Sequence, residues 1–203
     1  METIDCIQGS PEWFAARLGI ASASNFSKIL AKGQGKTRKS YMLQLAAEKL
    51  AGEPQETFSN AVMDRGTEVE PQAREYYEKL NGVIVEQVGF CKLTEDIGCS
   101  PDGLVGTDGG LEIKCPNSTT HLTYIMAEKL PSVYVAQVQG SLWVTDRKHW
   151  DFVSFDPRIK QRPYWSIRVF RDEAYINKLA VEVNQFIIEL EALTKKIINC
   201  PFE

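Results

Sequence analysis

Residues 100–116 read Ser-Pro-Asp-Gly-Leu-Val-Gly-Thr-Asp-Gly-Gly-Leu-Glu-Ile-Lys-Cys-Pro. Two strand-like stretches flank Gly106-Thr107-Asp108-Gly109-Gly110, a strong turn signal. If the loop is centred on Thr107 or Asp108, the numbers of facing residues sum to 214 or 216, and partners share parity. Asp102, Glu112 and Lys114 then project from one face of the hairpin. A two-residue Asp108-Gly109 turn would give an odd sum and put Asp102 on the opposite face. The constellation therefore predicts an odd-length loop, or a bulge.

Two carboxylates and a lysine converging on a hairpin have clear chemical use. Hard oxygen ligands suit Mg²⁺ or Mn²⁺. Such an ion can hold a phosphate oxygen and lower the pKa of a bound water. A lysine beside it can position that water or offset charge that develops on the phosphate. A surface salt-bridge cluster is the plainer alternative, and is worth little energetically. Against it, Glu112 and Lys114 sit in an apolar frame, Leu111, Ile113 and Cys115, where idle charge is costly.

Working outward, Ser10-Pro11-Glu12 is a helix start: a hydroxyl cap, a proline at the first position, and an acid at the positive dipole end. That helix carries Trp13, Phe14, Arg17 and Leu18 and is expected to end at Gly19. A short helix through Phe26 and Ile29 follows, then a basic loop over 33–39 and a helix from Ser40 to Leu50. A longer helix is expected from about Asn60 to Leu80, with Pro71 either restarting or kinking it and Asn81-Gly82 ending it. Strand character then appears at 83–90, 97–105 and 110–115. Helices are expected near 118–129 and 133–144, strands near 149–155 and 164–170. A long amphipathic helix from Asp172 to about Ile198 carries Leu179, Val183, Phe186, Ile187, Leu190 and Leu193 on one side. This order predicts an α/β (α+β) fold, a sheet flanked by helices and not a strictly alternating doubly wound one. A single domain over 1–203 is expected.

Composition narrows the class. Of 203 residues 43% are hydrophobic and 25% charged, so general disorder is excluded. No run of about 18 apolar residues occurs, and no secretory signal is visible at the start. The five cysteines, Cys6, Cys91, Cys99, Cys115 and Cys200, form no CxxC pair. They are expected to be reduced fillers, not a zinc or iron–sulfur site. The net charge of -4 speaks at first against nucleic acid. It hides a basic block, however: Lys28, Lys32, Lys36, Arg38 and Lys39, with no acid among them. Positive charge is expected to gather on one edge, with acids of the 172–191 helix on an outer face.

The string Pro101-Asp102, a spacer, then Glu112-Ile113-Lys114 matches the PD-(D/E)xK nuclease signature. The neighbouring Ser100-Pro101-Asp102-Gly103-Leu104, Leu111 to Pro116, Ala136-Gln137-Val138-Gln139 and Trp143-Val144-Thr145 closely resemble the phage lambda exonuclease family, also called YqaJ-like viral recombinases. So do residues 17–24, Arg65-Gly66-Thr67-Glu68-Val69-Glu70 with Ala73-Arg74, and Phe155-Asp156-Pro157-Arg158. The resemblance runs from about residue 8 to 190.

It implies a restriction-endonuclease-like core with a central mixed sheet. Asp102 and Glu112 would bind metal, with the Ile113 carbonyl as a third protein ligand. The expected cofactor is Mg²⁺, or Mn²⁺, two ions per site. Lys114 would position the nucleophilic water, Glu70 would be an extra acid beside the metals, and Gln137 would face the site from a helix. Arg17, Ser24 and Ser100 would take a 5′-terminal phosphate, and Met63 would wedge between terminal bases. The implied activity is processive 5′→3′ digestion of double-stranded DNA to mononucleotides, leaving a 3′ tail. The implied partners are DNA ends with a 5′ phosphate, two further copies in a homotrimer ring, and a single-strand annealing protein. The setting would be the cytoplasm of a bacterial host, with a phage or prophage gene. A catalytically silent DNA-end-binding module and a restriction-type endonuclease are the competing readings of the fold.

Overall fold

The register of the hairpin is Gly103 opposite Leu111, Leu104 opposite Gly110 and Val105 opposite Gly109, every pair summing to 214. The loop is therefore the three residues 106–108, odd in length. Gly106 enters it at φ +53°, in the left-handed region that favours glycine. Gly110 is needed for a different reason: a Cβ there would lie 2.1 Å from the buried Trp150 ring.

The computed structural model describes residues 1–31, 36–55 and 61–201; the side chains of residues 61–64 and 67 lie outside that description. In chain order the elements are β1 (Glu2–Ile4), α1 (Pro11–Ala16), β2 (Ala21–Ser22), α2 (Phe26–Ile29), α3 (Lys36–Ala51), α4 (Ala61–Asn81), β3 (Val85–Glu86), β4 (Phe90–Thr94), β5 (Ile97–Cys99), β6 (Gly103–Val105), β7 (Gly109–Lys114), α5 (Ser118–Ala127), α6 (Val135–Thr145), β8 (His149–Phe155), β9 (Tyr164–Phe170) and α7 (Glu173–Ile198). They form an α/β fold with two sheets, ordered β1-β4-β5-β2 and β3-β6-β7-β8-β9. The larger sheet is mixed: β7 runs parallel to β8, and the other pairs are antiparallel.

Two expected strands are each divided between the sheets. The 97–105 stretch breaks at Ser100-Pro101-Asp102, because Pro101 has no N–H to give a ladder. Its first half, β5, joins the smaller sheet and its second half, β6, the larger. The 83–90 stretch breaks in the same way at residues 87–89. The two crossings lie side by side, clamped by the amino-terminal segment. Gln8 Nε2 donates to the Val88 carbonyl at 3.0 Å and to Pro101 at 2.8 Å, and Trp13 Nε1 donates to Gly89 at 3.1 Å.

Other boundaries shift for local reasons. Ser10 caps α1 through the Trp13 amide, but the helix stops at Ala16 and tightens into turns, Leu18 N–H to Ala15 and Ile20 N–H to Arg17. Helix α3 starts at Lys36, so residues 36–39 are helical, not loop. Lys32 and residues 33–35 lie outside the described residues. Pro71 neither ends nor restarts α4. That helix closes where expected, with the Gly82 amide on the Glu78 carbonyl at 2.8 Å. Helix α7 buries Ile176, Leu179, Val183, Phe186, Ile187 and Leu190. Against these pack Phe26, Ile29, Tyr41, Leu45 and Leu142. A second cluster lies under α4, where Ala73 and Tyr77 meet Leu111, Ile113, Val153 and Phe155. All five cysteines are free, with Cys91, Cys99 and Cys115 buried. Among the described residues no helix is long and apolar enough to cross a membrane.

Candidate active site

Alternation along β7 builds the site. Leu111, Ile113 and Cys115 point into the cluster under α4. Glu112 and Lys114 therefore point to the other face, where α6 supplies Gln137. Glu112 is only 1% exposed. Its Oε1 accepts from Gln137 Nε2 at 2.6 Å and pairs with the Lys114 ammonium. The Lys114 ammonium also lies 5.4 Å from the centre of the Tyr134 ring, a cation–π contact.

Asp102 joins them across the hairpin. Its Oδ2 accepts the Ile113 amide at 2.6 Å, and its own amide donates to the Leu111 carbonyl at 3.2 Å. Glu70 approaches from α4, held by Arg74 one turn on at 2.5 Å. Arg74 also reaches Gln87 at 2.8 Å.

The electrostatics are those of a crowded anionic site. Burial raises the Glu112 carboxyl to about 7, with Asp102 and Glu70 adding repulsion and Lys114 opposing it. Glu70 is likewise raised to about 7, first by burial and then by the Asp102 charge. Burial also raises Asp102, against Lys114 and the Ile113 amide. Lys114 is pushed above its ordinary range, because Glu112 and Asp102 outweigh its own burial.

This donor set fits a hard divalent cation. Three carboxylates face two cations, and Glu112 Oε2 is buried with no hydrogen-bond partner. Such an atom is costly unless something fills its lone pairs. Among the described residues no three His, Cys, Asp or Glu side chains already form a metal cage. Asp102 is held at Oδ2 by the Ile113 amide, and Glu112 at Oε1 by Gln137 and Lys114, which leaves Glu112 Oε2 for a cation.

Beside this group lies a cationic recess. Arg17, at the end of α1, stacks on Trp13 with 4.2 Å from its guanidinium carbon to the ring centre. It donates to Ser100 Oγ at 2.5 Å and to Ser22 Oγ at 3.5 Å. Ser22 Oγ is 3.1 Å from Ser24 Oγ and accepts from Asn25 at 3.1 Å. Ser100 Oγ accepts from both Arg17 and Trp13 Nε1, which leaves its own O–H free to donate. Burial lowers the Arg17 pKa, and no described carboxylate forms an ion pair with it. A half-buried guanidinium among hydroxyls is a place for an anion.

The structure thus brings Asp102, Glu112, Lys114, Glu70 and Gln137 into one group, and Arg17, Ser24 and Ser100 into a second. Met63 is on α4, but its side chain lies outside the described residues. Trp13, Ser22, Arg74 and Tyr134 were not expected in these groups. Two of them had a signal in spacing, Trp13 four residues before Arg17 and Arg74 four residues after Glu70. Of the basic block, Arg38 is paired with Glu189 of α7 at 2.6 Å, and Lys32 lies outside the described residues.

A mixed sheet with an aspartate, glutamate and lysine on its central hairpin defines a PD-(D/E)xK nuclease fold. Residues 12–148 match the YqaJ-like viral recombinase domain, and the chain belongs to that family. It is similar to the alkaline exonuclease LHK-Exo of Laribacter hongkongensis, 40% identical with a TM-score of 0.87, covering 93% of this chain and 96% of that one. A structure of LHK-Exo in complex with dAMP matches at 41% identity and a TM-score of 0.88, with the same coverage. A phage-related exonuclease from Haemophilus somnus shares the fold at 20% identity and a TM-score of 0.67, over 88% of this chain and 95% of that one. The putative uncharacterized protein ExoD of Escherichia coli K12 is 34% identical over 70 residues, 34% of this chain and 80% of ExoD.

Proposed function

We propose that this chain, a nuclease of the YqaJ-like recombinase family, is a metal-dependent 5′→3′ exonuclease of double-stranded DNA that releases mononucleotides. The observation that carries this reading is the position of Ser100 and Asp102 on either side of Pro101. Two residues of chain span at most about 7 Å. The anion recess and the carboxylate group are therefore immediate neighbours. A strand whose 5′ phosphate rests on Arg17, Ser24 and Ser100 would present its next phosphodiester to Asp102 and Glu112. Hydrolysis there removes one nucleotide. The dAMP complex of LHK-Exo agrees with a mononucleotide product.

Bound Mg²⁺ or Mn²⁺, two ions in the fullest form, would supply Lewis-acid polarisation of the phosphate and a water of lowered pKa. Asp102, Glu112 and the Ile113 carbonyl would hold it, with Glu70 alongside. Lys114 orients the attacking water and offsets charge growing on the phosphate oxygens. Gln137 fixes Glu112 Oε1, which would leave Oε2 to hold the cation. Arg17 sets the register of the strand, because its planar fork matches a terminal phosphate. A homotrimer ring, processive digestion, a 3′ tail for an annealing partner and a bacterial cytoplasmic setting are proposed with this reading, on family resemblance.

The test compares a linear duplex with and without a 5′ phosphate and a closed circle, each in Mg²⁺ or EDTA. Metal-dependent loss of the linear duplex, faster with the 5′ phosphate than without it, is expected, with the closed circle intact. Cutting of the closed circle would identify an endonuclease. No loss of any substrate would identify a silent end-binding module.

A further inference from the structure

We propose that the turn between β8 and β9, residues 156–163, is a rigid cationic edge that grips the DNA phosphate backbone on the far side of the active site from the 5′-phosphate recess. The inference rests on the DNA-nuclease reading above. Its first support is unneutralised charge. Arg158, Lys160 and Arg162 are all exposed. The one acid of the turn, Asp156, is fully buried. No described carboxylate forms an ion pair with Lys160 or Arg162. Arg158 gives Nε and one terminal nitrogen to Asp156, at 2.8 and 2.9 Å, and its other terminal nitrogen has no hydrogen bond among the described residues.

The second support is order. Asp156 also accepts from Arg65 at 3.0 Å, Ser118 at 2.6 Å and the Arg158 amide at 3.2 Å. The backbone closes on itself, Asp156 N–H to Pro163 at 2.8 Å, Ile159 N–H to Asp156 at 3.1 Å and Arg162 N–H to Ile159 at 3.0 Å. His121, fully buried, spans Ser154 Oγ at 2.7 Å and the Arg162 carbonyl at 2.9 Å. A carbonyl only accepts, so Nε2 carries a proton. With the backbone of this edge already ordered, only side-chain freedom is lost when a phosphate binds.

The third support is placement. Strands β7 and β8 are parallel, and Lys114, Ser154 and Trp165 share one rung of the sheet. Adjacent strands are about 4.8 Å apart, so Trp165 stands about 10 Å from Lys114. The turn extends beyond that rung at the same end of the sheet. Arg65 ties it there directly, because one guanidinium donates to Asp156 and, at 3.1 Å, to the Pro116 carbonyl just past Lys114. Asp102 and Ser100 lie on the β6 side of Lys114, and the turn lies on the β9 side. The backbone would be held on both flanks of the carboxylates.

The experiment uses the full chain with Lys160→Gln and Arg162→Gln together. Binding to a 5′-phosphorylated duplex is measured without hydrolysis between about 50 and about 200 mM salt, where each lost phosphate contact lowers the salt slope by about 0.9. We expect a slope smaller by about 1–2 and about tenfold weaker binding at low salt, with an unchanged thermal midpoint. Arg162→Lys, which keeps the charge, should keep the wild-type slope. Wild-type affinity and slope in the double variant would overturn the proposal, and so would an equal loss in Arg162→Lys. Failure of the wild-type protein to bind or cut duplex DNA would instead overturn the nuclease reading itself. Equal weakening towards an acidic peptide and DNA would assign the edge to protein docking.

Discussion

Asp102 Oδ2 accepts the amide of Ile113 at 2.6 Å, so the first carboxylate of the site is fastened to the residue between Glu112 and Lys114. The hairpin register alone brings these residues to one face. The hydrogen bond adds a fixed distance.

Lys114→Ala should lower hydrolysis by at least about 10²–10³-fold, the usual cost of removing a group that stabilises charge in the transition state. Binding of duplex ends should persist, because Arg17 and the serines are untouched. Single-turnover cleavage beside an equilibrium binding assay separates the two. Loss of binding with the fold intact would contradict the role assigned to Lys114.

Arg17→Ala should weaken the preference for 5′-phosphorylated ends by about 10–100-fold, the worth of one or two charge-assisted hydrogen bonds. Arg17→Lys should restore little, since an ammonium lacks the fork and the stacking on Trp13. The check is the ratio of rates on phosphorylated and dephosphorylated ends. A ratio equal to wild type would remove Arg17 from the phosphate site.

The carboxyl shifts give a pH prediction in the metal-free protein. Glu112 and Glu70 are raised from 4.5 to about 7. The folded state therefore holds more protons than the unfolded state between those values. Stability from this source is full below about pH 4.5 and is lost as pH rises through about 7. Glu112→Gln should gain stability relative to wild type by on the order of 2–3 kcal/mol between pH 5 and pH 8 without metal. Mg²⁺ at pH 8 should stabilise wild type and not the variant. Denaturant unfolding at both pH values tests this, and a constant difference between the proteins would refute it.

Asp156 is the structural counterpart, held well below the usual carboxylate range by Arg158 and Ser118 in spite of its burial. Its contribution is present above about pH 4 and falls away as pH drops below that value. Asp156→Asn weakens the buried hydrogen bonds to Ser118, Arg65 and Arg158 and should cost about 1–3 kcal/mol at pH 7. Urea unfolding measures it. A cost below about 1 kcal/mol would mean that solvent or neighbours replace the carboxylate.

Much of the site is legible in the sequence because it is local. Parity along 102–114 and an odd loop suffice to gather Asp102, Glu112 and Lys114. The buried stripe of α7 follows from spacing alone. What escapes is set by distant partners. Pro101 was the sole mark that residues 97–105 change sheets, while strand propensity runs on through both halves. Strands β1 and β2 have three and two residues, too short to show a period. Helix α3 begins on Lys-Thr-Arg-Lys, which has no capping signal, and Arg38 meets Glu189 across 151 positions of sequence. Such pairs depend on packing and leave no local trace.

The most direct measurement follows both ends of one strand. A 5′-phosphorylated duplex is labelled at its 5′ end in one sample and at its 3′ end in another, then digested in Mg²⁺. The account predicts that the 5′ label appears first, as a mononucleotide, while the 3′ label remains on a shortening strand. Early release of the 3′ label, or internal fragments before any mononucleotide, would contradict it.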